Sequence, residues 1–213
     1  MAEIYAITVS TRYADLLRII IHQNVKFFKK WYIVTHPSDD TTIKVIRDAS
    51  YNNIELLFYD FYNNGSSFDF GGARLYCQKH ILSQFGVGKI VLMLDSDIYL
   101  PDNFLDSINS ITINKNTLYG ISKRYDYGRM TDFIARTTNN PYRAANEFHG
   151  FFQMFIQEEH NLYKNSYDCS RCDLDFHKCF NNKIIIPLTL YHLGKSGVHW
   201  RGRLTTADFI NDI

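Results

Sequence analysis

Residues 89–94 read KIVLML, apolar at every position after the lysine, and run directly into Asp95-Ser96-Asp97. A strand that is apolar on both faces has no side to offer water, so it belongs in the middle of a sheet with helices packed on each face. Elsewhere, short runs rich in Ile, Val and Tyr alternate with longer stretches of helical periodicity, the pattern of parallel strands joined by crossover helices. The fold class is therefore α/β, with a central, mostly parallel sheet flanked by helices. Strands are predicted at 4–10, 31–35 and 54–59, and a helix at 14–23 with Leu16, Leu17, Ile20 and Ile21 on one face. His36-Pro37-Ser38-Asp39 reads as a turn in which Ser or Asp caps the next helix. After the loop 63–67 a helix carries Leu75, Ile81 and Leu82 and stops at Phe85-Gly86. The second half is less regular: a strand at 118–122, a polar stretch at 125–146, an apolar run at 151–156, and IIIPLTLYHLG near the end.

At 213 residues and 46% hydrophobic content the chain suits one domain, 1–213, built on one sizeable core. Lys+Arg at 23 against Asp+Glu at 22 leaves a net charge of +1, which gives no field to draw the protein onto nucleic acid, and no nucleic-acid partner is expected. No stretch approaches the ~20 apolar residues of a membrane span. The start MAEIYAITVS has no basic segment followed by an apolar one, so neither signal peptide nor anchor is expected. Four cysteines fit a reducing, cytoplasmic setting. Cys169, Cys172, His177 and Cys179 offer zinc-type ligands, but a single residue between His177 and Cys179 suits a tetrahedral site badly, and reduced, partly buried thiols are the simpler reading.

Two carboxylates at the carboxyl end of a buried central strand stand where open α/β sheets bind ligands. In extended backbone Asp95 and Asp97 face the same way and can meet one cation while Ser96 points elsewhere. Oxygen ligands of this kind favour Mg²⁺ or Mn²⁺. The competing reading is that the pair caps a helix after Pro101.

The block GGARLYCQKHILSQFGVGKIVLMLDSDIYLP resembles the signature of GT-A glycosyltransferases, in which an Ala-Arg near a helix start precedes a hydrophobic strand ending in a metal-binding DxD motif. Ala73-Arg74 and Asp95-Ser96-Asp97 match it, and VTHPSDDTT resembles the loop that helps bind the nucleotide base. The general layout is similar to that of chlorovirus members that glycosylate a capsid protein. The resemblance implies a GT-A, Rossmann-like fold with a smaller acceptor-side sheet, a nucleotide-sugar half at about 1–100 and an acceptor half at about 101–213. It implies Mn²⁺ or Mg²⁺, a nucleotide-sugar donor of the UDP-sugar kind, and a glycan or glycoprotein acceptor, which for a viral member would be a capsid glycoprotein met in host cytoplasm.

Carried over by residue, it places Ser10, Thr11 and Asp39 near the nucleoside, Arg74 near the metal or diphosphate, and Ser96 and Lys195 against the donor. Asp95 and Asp97 would bind the metal. A third ligand is expected from LYHLGKSGVHW, with His192 ahead of His199, and Arg201 and Arg203 beyond it would brace phosphate oxygens. Asp173 and Asp175, in the acidic motif that opens a helix beside the acceptor, take the catalytic role, and EFHGFFQMF offers His149, Gly150 and Gln153 as sugar contacts. With no obvious Glu-Asp base pair, retention is favoured. Bland readings stand beside these: Arg74 in a surface salt bridge, Thr11 and Asp39 as helix caps, acids at a helix start serving its dipole. A binding module that kept the fold but not turnover is one alternative function. A DxD phosphatase is another, although those enzymes normally carry Thr or Val where Tyr99 stands.

Overall fold

Strand β1 (Ile4–Val9) is buried at all six positions. Ile4 and Ala6 enter one apolar cluster, while Tyr5, Ile7 and Val9 enter a second on the opposite face. Strands β2 (Lys30–Thr35) and β4 (Ile90–Leu94) divide their side chains the same way, with Trp31, Ile33, Leu92 and Leu94 on one face and Tyr32, Val34, Val91 and Met93 on the other. β1 lies parallel between them, and β3 (Ile54–Phe58) extends β2 in parallel. Helices α1 (Ala14–Asn24), α2 (Asp40–Ala49), α4 (Phe104–Asn109) and α5 (Met130–Ala135) cover the first face. Helices α3 (Phe70–Phe85) and α6 (Cys172–His177) cover the second.

The computed structural model describes residues 2–136, 141–142, 148–169, 171–194 and 203. Within them the remaining strands are β5 (Ile98–Tyr99), β6 (Thr117–Tyr127), β7 (Pro141–Tyr142), β8 (Phe152–Ile156) and β9 (Asn182–Leu193). The sheet runs β3-β2-β1-β4-β8-β6-β9-β5, with β7 on β6. The second-half strands, expected as a smaller sheet, are hydrogen-bonded into this one, beginning with β8 antiparallel to β4. β6 outruns its predicted end by five residues, because Lys123 to Tyr127 alternate as a strand and pair with Thr189 to Leu193 of β9. Pro187 lacks an N–H to donate, the ladder shifts register there, and Ser122 Oγ donates to the Leu188 carbonyl instead.

Side chains fix the joints between elements. Asp39 rather than Ser38 caps α2, accepting from Thr42 N at 3.1 Å. Buried Asn24 holds the chain after β4 at two points, donating to Ile98 O (2.7 Å) and accepting from Leu100 N (3.0 Å), much as a neighbouring strand would. Asp69 caps α3 through Gly72 N (2.8 Å) and also accepts from Tyr59 Oη (2.8 Å), Asn165 Nδ2 (2.7 Å) and Ser166 N (2.7 Å). One carboxylate thus ties the start of α3 to a segment almost a hundred residues downstream. Asp69→Ala removes the cap and strands buried donors, and is expected to cost about 2–4 kcal/mol in urea unfolding. A loss below about 1 kcal/mol would show that the 165–166 segment is held by something else.

Candidate functional site

The site is built around one buried cation. Gly71, in the first turn of α3, presses so close to the 164–166 segment that a Cβ there would sit 2.1 Å from the Lys164 carbonyl. Arg74 follows one turn later, 1% exposed. Its Nη1 donates to Tyr163 Oη (2.7 Å) and Asp173 Oδ1 (2.9 Å), and its Nη2 to Asp95 Oδ1 (2.9 Å) and Gly150 O (2.7 Å). The guanidinium lies over the Phe70 ring at 4.2 Å. This is not a surface salt bridge. A charge so deep survives because its two terminal nitrogens are met by two carboxylates, a hydroxyl and a carbonyl, although Nε has no hydrogen-bond partner among the described residues. Gly150 is equally constrained, since a Cβ on it would fall 2.1 Å from Asp173 Oδ2.

The strand ends before the carboxylate pair does. Asp95 to Asp97 form a turn closed by Ile98 N donating to Asp95 O (3.3 Å), so the two side chains go to different partners rather than alternating along an extended chain. Neither caps a helix, because α4 begins at Phe104 behind Asn103. Asp95 meets Arg74. Asp97 Oδ2 faces His192 Nε2 at 3.3 Å, and His192 Nδ1 faces Asp126 Oδ1 at 2.9 Å. Arg124 Nε closes the row, 2.9 Å from Asp126 Oδ1. Asp97 Oδ1 is buried with no hydrogen-bond partner from another residue among the described residues.

These environments push the two aspartates apart. Asp95 is raised to about 7 by its enclosure and by the like charges of Asp97 and Asp173, against the pull of Arg74, even though a third of its side chain still meets solvent. Burial also works against ionised Asp97, but His192 and then Arg124 hold it below the usual carboxylate range. Burial disfavours the His192 cation, yet Asp97 and Asp126 raise it to about 9. Asp126 is missing from the sequence-derived set, as are Arg124 and Tyr163. The alternation in KRYDY puts Arg124 and Asp126 on one strand face, but only the register of β6 on β9 sets Asp126 opposite His192.

At the end of β1, Ser10 and Thr11 carry buried hydroxyls with no hydrogen-bond partner among the described residues. Arg12 then adopts φ +63°, a left-handed turn that costs a non-glycine residue roughly 1 kcal/mol. Asp39 holds that turn by accepting from Arg12 N at 2.5 Å while capping α2, so both of its oxygens are occupied and its acidity is increased by those donors against the effect of burial. Tyr13, next in the chain, feels the charges of Asp97 and Asp95. Arg203 pairs with Asp15, donates to Arg12 O and lies over Tyr13, bracing this turn from outside.

The structure thus brings Asp95, Arg74, Asp173 and Gly150 into one group and Asp97, His192 and Asp126 into an adjoining one. Ser96 is buried beside them. Asp175 is apart, half-exposed and paired with Lys178 at 2.6 Å. Gln153 is fully buried and committed to Phe148 O, His177 and Tyr163. His149 stacks on Phe151. His177 Nε2 is directed at Phe148 O and Gln153, away from a shared ion with the cysteines, and Cys77, Cys169, Cys172 and Cys179 form no disulfide. Lys195, His199 and Arg201 lie outside the described residues. Among the described residues no three His, Cys, Asp or Glu side chains already converge as a finished metal cage.

No protein-family model matches the sequence, and no curated protein matches it. Among solved structures the chain is similar to 4-diphosphocytidyl-2C-methyl-D-erythritol synthase from Anaerococcus prevotii, with TM-score 0.50 and 14% identity over 88% of this chain and 87% of that one. The two chains share a fold. Looser likenesses include a putative nucleotide-diphospho-sugar transferase from Desulfovibrio desulfuricans, at TM-score 0.47 and 9% identity over 91% of this chain and 83% of that one. A glycosyltransferase involved in glycosylation of the major capsid of PBCV-1 gives TM-score 0.41 and 12% identity over 91% of this chain and 96% of that one.

His192 is raised from 6.5 to about 9, so its contribution to stability is complete below pH 6.5 and lost as pH rises through 9. With chelator present, wild type is expected to lose up to about 3 kcal/mol relative to His192→Gln across that window in denaturant titrations. Parallel pH curves for the two proteins would refute the buried Asp97–His192–Asp126 charge arrangement.

Proposed function

We propose that the protein is a divalent-metal-dependent glycosyltransferase, moving a sugar from a nucleotide-sugar, a UDP-sugar in the first instance, to a hydroxyl of a glycan or glycoprotein. The observation that carries this reading is the buried Asp97 Oδ1 with no partner from another residue, set beside Asp95 at the carboxyl end of the central strand. Four carboxylates, Asp95, Asp97, Asp126 and Asp173, crowd Arg74, Arg124 and His192 there, and a further cation relieves their repulsion. The donor set is oxygen with one imidazole, which fits Mn²⁺ or Mg²⁺ held by Asp97, Asp95 and a deprotonated His192. Such an ion, when bound, neutralises the diphosphate and makes it a better leaving group.

The chain's own residues supply the rest. Ser10 and Thr11 present spare hydroxyls to the nucleoside, and the Arg12 turn held by Asp39 fixes their direction. Arg74 sets the distance between the donor side, through Asp95, and the acceptor side, through Asp173. Asp173 Oδ1 is pinned by the guanidinium and the Tyr163 hydroxyl (2.8 Å), which suits a carboxylate that orients substrate and steadies a cationic transition state, and so favours retention. A capsid glycoprotein is the first acceptor to test. A second reading, nucleotidyl transfer from a nucleoside triphosphate, draws on the fold shared with the diphosphocytidyl synthase.

Incubation with UDP- and GDP-sugars and Mn²⁺ is expected to release one nucleotide, with Asp97→Ala slower by about 10²-fold or more. Release of pyrophosphate from CTP instead would select the second reading, and donor binding without any release would select a binding module. Gly150→Ala displaces Asp173 without adding or removing a charge. Its turnover is expected to fall about 10-fold or more with donor affinity retained, and unchanged turnover would remove Asp173 from the mechanism.

A further inference from the structure

Helix α6 has a second working side. Asp173 points to Arg74, while Cys172, Asp175, Phe176 and Cys179 line a cavity of about 330 Å³ whose other walls are Leu162, residues 164–168 and Arg171. That volume falls in the lower part of the ~300–1,000 Å³ range of small-molecule sites. In its wall Lys164 and Arg171 stand against Asp168 and Asp175, the latter also paired with Lys178, so the two signs are interleaved rather than gathered into one field. What remains is a floor of Leu162 and Phe176, a rim of polar groups, and Tyr167, whose side chain is 66% exposed.

Tyr167 is exposed but not loosely held. Its carbonyl accepts from Ser67 N (3.0 Å), Phe68 N (3.1 Å) and Ser67 Oγ (3.1 Å), which fixes the backbone that carries the ring. An exposed aromatic ring on an anchored backbone beside mixed donors and acceptors is the chemistry that recognises a neutral sugar, C–H groups against the ring and hydroxyls against the polar rim. The same helix carries a carboxylate of the site described above, since Asp173 follows Cys172 of the cavity wall.

We propose that this cavity is a second saccharide site, which binds a neutral unit of an oligosaccharide acceptor at a distance from the hydroxyl that reacts. The assignment of an oligosaccharide as acceptor rests on the transferase reading; the binding of sugar in the cavity does not. Cys179 in the cavity wall provides a local reporter, partly accessible and free.

The full chain is tested with maltotriose, cellotriose, laminaritriose and xylotriose, each beside its monosaccharide, and with inorganic phosphate, in the absence of donor. Binding is followed by saturation-transfer NMR and by the rate of Cys179 alkylation with iodoacetamide at pH 9. At least one trisaccharide is expected to bind and to slow alkylation about threefold or more, with Tyr167→Ala weakening that binding about tenfold. Arg171→Ala is expected to weaken it less. The proposal is overturned if no trisaccharide protects Cys179, if Tyr167→Ala binds as wild type does, or if phosphate alone protects. Absence of nucleotide release in wild type sinks the transferase reading separately, since protection is scored without donor.

Discussion

The guanidinium of Arg74 is the interaction on which the site depends. It draws together the end of β4 through Asp95, the approach to β8 through the Gly150 carbonyl, and α6 through Asp173. Without it, two carboxylates from distant parts of the chain would face each other across a closed space. The need to bury a cation also accounts for the composition of α3, whose inward face carries Gly71, Gly72, Arg74 and Gln78 alongside Ala73, Cys77 and Ile81. The helix is therefore less amphipathic than its length and position lead one to expect. Its start is packed tightly enough for glycine to be required, and its second turn is polar where a helix against a sheet is usually apolar.

Asp95 and Asp97 are two residues apart, yet the protein treats them differently. Asp95 shares Arg74 with Asp173 and is raised by burial and by like charges, whereas Asp97 shares His192 with Asp126 and is held below the usual carboxylate range. Neighbouring acids are thus driven to different acidities by different partners. The turn between them, rather than an extended strand, is what permits the separation. The continuity of the sheet makes it durable, because Leu193 N donates to Asp97 O and Gly194 N to Tyr127 O, locking β9 to both of its neighbours in the site.

Much of this was legible in the sequence because local rules and tertiary demands agree. The unbroken apolar run of β4, the periodic face of α1, the Asp39 cap and the Gly86 stop of α3, at φ +69°, each follow from a few adjacent residues. The location of the carboxylates at the end of a covered strand followed from the same run. What stayed hidden depends on register and long-range packing. Nothing local distinguishes Asp126 from any charged residue in a polar stretch; its meaning comes from standing opposite His192 across two strands. Asp173 and Asp175 look alike in the motif, but helical geometry sends one to Arg74 and the other to Lys178 at the surface. For Arg74 the resemblance pointed to the metal or diphosphate and the bland reading to a surface salt bridge; its burial between Asp95 and Asp173 depends on partners brought together only by the fold.

Gly150 has a consequence of a different kind. It contributes a carbonyl to Arg74 and, beyond that, only the room left by its missing side chain, into which the Asp173 carboxylate fits. In a survey of tolerated variation such a position would score alongside the acids themselves, although no atom of its side chain exists to touch a substrate. Intolerance there would report the shape of the space around the Asp173 carboxylate, and a map of this protein drawn from variation alone would mark a position that has no side-chain atom of its own.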